Sequence, residues 1–95
     1  MIKYHKQILD ILKFLSTVNK KRFSEKDIER LCAAVLTPSE IEAISQRIHV
    51  LELLFAGKSQ REVSEILGVG VATATRGNRM LKENFDLFER ILSKK

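Results

Sequence analysis

The segment from Ser59 to Lys82, SQREVSEILGVGVATATRGNRMLK, constrains the fold more than any other stretch of the chain. Ser59-Gln60-Arg61-Glu62 is a capping box, which opens a short helix running to Leu67. Gly68-Val69-Gly70 makes a tight turn, with Gly68 where the backbone needs positive φ. Val71 begins a second helix that ends near Lys82 or Glu83. Ser64 is small where the two helices must cross, and Val63, Leu67, Val69 and Ala74 are spaced to pack the pair together. The second helix carries Arg76, Arg79 and Lys82 with no acid among them. That is the pattern of a helix-turn-helix whose second, basic helix lies in the major groove of DNA.

The remainder predicts an all-α fold, because the chain has one proline, four glycines and no alternating β-branched run. From about Ile2 to Val18, the apolar residues Ile8, Leu9, Ile11, Leu12, Phe14, Leu15 and Val18 cover more than one stripe. We read this segment as a dimerisation helix, with an ordinary central helix as the alternative. Asn19-Lys20-Lys21-Arg22 is expected to break it as a solvated basic loop. Ser24 and Asp27 then cap a helix through Ile28, Leu31 and Cys32 to about Val35. Thr37-Pro38-Ser39-Glu40 starts a third helix, with Ile41, Ile44, Ile48, Leu51, Leu54 and Phe55 at helical spacing and Gly57 beyond its end. Asn84 is expected to cap a last helix over 85–92. The organisation expected is one domain, 1–95, with dimerisation core helices in 1–57, the helix-turn-helix in 59–82 and a C-terminal core helix in 84–95.

A net charge of +5 suits a polyanionic partner, above all when the charge sits on the second helix of such a motif. Cys32, the one cysteine, makes no intrachain disulfide and reads as a small buried apolar residue. His5 and His49 have no metal-ligand partner at useful spacing, so no metal is expected. Gly68-Val69-Gly70 follows no strand and is a turn, not a phosphate loop. With no catalytic constellation, no membrane-length apolar window and no signal-peptide core, we expect a cytoplasmic non-enzyme without a membrane partner. Val71, Ala72, Thr73 and Thr75 lie at the start of the second helix, where side chains approach base edges and phosphates. Ordinary surface threonines are the alternative for Thr73 and Thr75.

Four runs together carry a resemblance: Leu36-Thr37-Pro38-Ser39-Glu40, Gln46-Arg47-Ile48, Ser59-Gln60-Arg61-Glu62, and Gly68 through Gly77, GVGVATATRG. They closely resemble the tryptophan repressor family. The resemblance implies a six-helix intertwined homodimer that takes L-tryptophan as corepressor and then binds double-stranded operator DNA. The genes controlled would be those of tryptophan biosynthesis or uptake. Position by position, Arg47 and Arg76 would sandwich the indole, with Arg47 also meeting the ligand carboxylate. Leu36 and Thr37 of the other subunit would help close the pocket, and Gly77 would give room beside the ring. Arg61 would reach a base, Gln60, Thr73, Thr75 and Lys82 would touch phosphates, and Val71 and Ala72 would face base edges. Arg79 is placed on the same DNA side. Two features depart from the family pattern. Met80 stands where the family has a small residue near the ligand amino group, and the connection Gly57-Lys58-Ser59 is one residue short. Two other readings stay open: a regulator on the same scaffold that ignores tryptophan, and a basic protein-interaction module.

Overall fold

A computed structural model describes residues 5–94. Six helices and no strand appear among them, which is the all-α fold expected. The helices are α1 (His5–Lys21), α2 (Glu25–Val35), α3 (Pro38–Phe55), α4 (Gln60–Leu67), α5 (Val71–Glu83) and α6 (Phe85–Leu92). The chain divides into two compact units, Met1–Thr37 and Pro38–Lys95.

The first unit has no core of its own. Neither α1 nor α2 has a buried residue, and Ile11, Leu12 and Leu15 are each more than half exposed. Ser24 caps α2 as expected: its hydroxyl accepts from the Asp27 amide, and the Asp27 carboxylate accepts from the Ser24 amide. Two expectations are corrected here. The first helix does not break at Asn19 but runs to Lys21, and only Arg22 leaves it, with φ 53. Lysine is a good helix former, and Lys20 and Lys21 sit in the last turn, where cations complement the helix dipole. The expected start at Ile2 falls outside the described residues. Cys32 is exposed rather than buried, because no core exists in this unit to receive it.

The second unit is built around Val50, Leu54, Val63, Ala74 and Leu81, with Leu51, Leu53, Phe55, Leu67 and Phe88 packed against them. Here α5 packs on both α3 and α4, and α6 packs on α3 and α5. Phe55 stacks on Phe85 at a centroid distance of 5.8 Å, which fastens α6 to the end of α3. Pro38 takes the first helical position of α3. The other end closes in a Schellman arrangement: Lys58 N–H donates to the Leu53 carbonyl, Gly57 N–H to that of Leu54, and Gly57 has φ 98. The expected positions on α3 are met in part: Leu51, Leu54 and Phe55 join the core, and the isoleucines do not. Val50 and Leu54 are buried, while Ile41, Ile44 and Ile48 are exposed. Val50 and Leu54 lie one turn apart on the side that meets α5, and the isoleucines lie on another side.

The helix-turn-helix pair α4–α5 forms as its sequence dictates. Ser59 and Glu62 exchange both bonds of the capping box, at 3.1 and 3.0 Å. Gly68 ends α4 at φ 67, and the Ser64 hydroxyl donates to the Val69 carbonyl, which clasps the turn. Val63 and Ala74 are fully buried between the helices. Asn84 departs from expectation. Its side chain donates to the Met80 carbonyl at 2.8 Å, so it closes the end of α5 instead of capping α6. The Met80 carbonyl already accepts from the Asn84 backbone N–H at 3.1 Å, and its second lone pair takes the side-chain amide of the same residue.

The Ser59 box carries a prediction. Ser59→Ala is expected to lower stability by about 1 kcal/mol. The bonds from the Ser59 backbone and hydroxyl hold the Glu62 carboxyl below its ordinary range. A carboxylate depressed on folding stabilises above its unfolded pKa, and that contribution is lost as pH falls through the folded value. The gap between Ser59→Ala and the parent chain should therefore shrink in acid, as urea denaturation at neutral and acidic pH would read out.

Candidate functional site

A cavity of about 350 Å³ lies between α3 and α5. Ala43, Gln46, Arg47, Val50 and Leu51 form its α3 wall. They recur at every third or fourth residue, so one face of the helix supplies them all. Thr73, Arg76, Gly77 and Met80 form the α5 wall by the same spacing. The volume falls in the range of small-molecule pockets, roughly 300–1,000 Å³. Apolar Val50 and Leu51 stand beside two guanidinium groups, a lining that fits a flat apolar ring carrying an anionic group.

Arg47, Arg76, Gly77 and Met80, singled out in the sequence as one site, thus come together on one cavity. Leu36 and Thr37 belong to the end of the first unit. Ala43, Gln46, Val50 and Leu51 are not assigned to the site from the sequence, although Gln46 lies in a run that carries the resemblance and Leu51 among the helically spaced apolar residues. Their spacing along α3 was a signal available in the chain, but choosing that face requires knowing which side of α3 meets α5. Gly77 has a further structural reason to be glycine. A β-carbon there would stand 2.5 Å from Val50 Cγ1 and 3.4 Å from Leu54 Cδ1. The missing side chain lets α5 approach α3 closely.

The opposite side of α5 faces away from the cavity. Val71, Ala72, Thr75, Arg79 and Lys82 are all exposed there. Thr73, grouped in sequence with Thr75, lies on the cavity wall, because residues two apart on a helix point about 200° apart. Thr75 donates to the Gln60 side chain at 2.7 Å, which ties the start of α4 to the outer face of α5. Arg61 is exposed, at 4.0 Å from Glu65 one turn on, an ion pair weak enough to be given up to another anion. Gly70 offers no side-chain cap to the start of α5; the Thr73 N–H donates to the Gly70 carbonyl at 3.1 Å, while the Val71 and Ala72 amides at the helix start point toward an outside acceptor. Among the described residues no helix is long and apolar enough to cross a membrane, and no cluster of metal-binding side chains occurs.

Two short helices joined by a glycine turn, the second with an exposed polar and basic face, define a helix-turn-helix protein. The family described as Trp repressor protein matches residues 10–95, and the chain belongs to it. It is 41% identical over 81 residues to a protein of Photobacterium profundum named Trp operon repressor homolog, a match covering 84% of this chain and 72% of that one. A protein of the same name from Vibrio cholerae is 38% identical over 77 residues, covering 80% and 68%. The family is one of DNA-binding transcriptional repressors.

Proposed function

We propose that this protein is a homodimeric, cytoplasmic transcriptional repressor that binds operator DNA when L-tryptophan occupies the α3–α5 cavity. The observation that carries the reading is that α5 serves both sides. Thr73, Arg76, Gly77 and Met80 face the cavity, while Val71, Thr75, Arg79 and Lys82 face outward. A ligand wedged against α3 fixes the tilt of the same helix that reads DNA. It favours one orientation of the reader among those the helix pair samples. Arg47 and Arg76 lie on the two walls, where guanidinium groups stack on an indole and pair with its carboxylate. Leu36 and Thr37 complete the site from the second subunit. On the outer face, Val71 and Ala72 meet base edges, Arg61 reaches a base, and Gln60, Thr75, Arg79 and Lys82 hold phosphates, joined by Thr73 at the rim. In the dimer, the whole chain works as one domain with two readers.

The test is DNA affinity with and without saturating L-tryptophan, over a series of salt concentrations. Coupling of this kind is typically about 5–150-fold, and DNA must tighten tryptophan binding by the same factor. Lys82→Ala should weaken binding to all sequences alike and reduce the salt slope by about one. Arg61→Ala should instead relax preference at one position. Equal affinities with and without ligand would establish the regulator that ignores tryptophan. An affinity indifferent to salt would establish the protein-interaction module.

A further inference from the structure

The helix-turn-helix segment 59–82 sets Arg61, Arg76, Arg79 and Lys82 against two acids, Glu62 and Glu65. The two acids are differently employed. Glu62 closes the capping box, its carboxylate accepting from the Ser59 amide at 3.0 Å. Glu65 instead lies 4.0 Å from Arg61 Nε, with both side chains largely exposed. Helix stability does not account for Glu65. It sits in the last turn of α4, where the helix dipole disfavours a carboxylate. Its order with Arg61, the base first and the acid four residues later, is the weaker arrangement of such a pair.

We infer, resting on the DNA reading above, that Glu65 is a specificity-determining residue: it cancels the charge that Arg61 offers to phosphates and leaves Arg61 free to read a base. The first helix of such a motif crosses the phosphate backbone, and residues one turn apart share a face. Glu65 therefore meets the same stretch of DNA as Arg61. Nonspecific binding consists essentially of phosphate contacts, whereas specific binding also draws on base edges. On an arbitrary sequence Arg61 meets a phosphate, and Glu65 removes most of the charge it brings. On the operator Arg61 turns into the groove. A guanidinium carries five N–H donors in a fixed fork, so a carboxylate beside Nε leaves both terminal nitrogens for the O6 and N7 of a guanine. The same carboxylate then holds the guanidinium at one end and limits the directions in which it can point. Glu65 thus weakens the wrong complexes more than the right one.

The experiment uses the full chain with saturating L-tryptophan and two probes: a duplex that the parent chain enriches from a randomised pool, and a duplex of the same composition in shuffled order. Affinities of the parent, Glu65→Gln, Arg61→Ala and the double variant are measured from about 50 to 200 mM salt. Glu65→Gln should tighten binding to the shuffled duplex about threefold to fivefold at the low-salt end, the effect of one charge pair some 4–6 Å apart in water. Its salt slope should steepen by up to about 0.9. Binding to the enriched duplex should change much less, so the ratio of the two affinities falls, and base pairs exchanged at the position read by Arg61 are discriminated less sharply. In the Arg61→Ala chain, Glu65→Gln should leave the preference at that position unchanged. Urea denaturation should find Glu65→Gln no less stable than the parent; a destabilised variant would assign Glu65 to the fold and overturn the inference. Tightening of both duplexes by one factor, or of neither, overturns it as well and leaves the DNA reading standing. A parent chain that enriches no sequence from the pool overturns the DNA reading and this inference together.

Discussion

Gly77→Ala is expected to destabilise the protein by about 1–3 kcal/mol, the usual range for overpacking a well-filled core. The sign is what makes this informative. In an exposed helix interior, glycine to alanine gains roughly 0.5–1 kcal/mol, because alanine loses less backbone freedom on folding. At Gly77 the new methyl would meet Val50 Cγ1 at 2.5 Å. Val50 is 2% exposed and belongs to the second unit's core, and the open space beside it is the cavity it lines. Either Val50 turns into that cavity or the helices separate, and on separation Leu54, whose Cδ1 would be 3.4 Å from the same methyl, moves too. Because α5 forms one cavity wall and α3 the other, either adjustment alters the cavity and should weaken ligand binding. Urea denaturation reads the first effect. A midpoint raised by Gly77→Ala would show that α3 and α5 are not in close contact at this point. The combined Val50→Ala, Gly77→Ala chain tests the cause: it should lose less than the sum of the two single losses, since each substitution relieves the other.

What the sequence could reveal divides along a physical line. The capping boxes at Ser24 and Ser59 and the glycine stops at Gly57 and Gly68 are legible because each is decided within a few residues. The packing of Val63 against Ala74 is legible because a helix-turn-helix has one way to close. The end of α1 was misplaced because a basic run is as compatible with a helix terminus as with a loop. Asn84 faced two helix ends at once, and composition does not say which one its amide serves. The face of α3 is legible only in part for a related reason. Leu51, Leu54 and Phe55 pack as expected, but the isoleucines, core by type, are exposed, and Val50 is buried in the core. The cavity suffers from the same ambiguity. Arg47 and Arg76 are 29 positions apart in the numbering and read as surface arginines until a family pattern joins them. Ala43, Gln46, Val50 and Leu51 belong to the site only through the rotation of α3 about its axis, which no local signal fixes.

Leu15→Lys is expected to abolish the folded state at micromolar concentration, and Leu12→Lys to act similarly. In the single chain these side chains are 58% and 56% exposed, and α1 has no buried residue at all. Were that the final environment, a lysine at either position would change stability by no more than about 0.5 kcal/mol, as surface substitutions do. An isolated helix of this length is only marginally stable in water, and α2 gives it no core. The breadth of the apolar surface, from Ile8 through Leu15, calls for cover on more than one side. A second copy provides that cover in the proposed dimer, and symmetry then brings each α1 into the interface. A lysine buried there without a partner costs several kcal/mol, and the dimer suffers the cost twice. Sedimentation should find the parent chain dimeric, with a melting temperature that rises with protein concentration. A compact folded monomer at micromolar concentration, indifferent to Leu15→Lys, would rule the dimer out. It would also remove the second reader and the partner's Leu36 and Thr37 from the proposed site, so the ligand and DNA measurements both depend on this result.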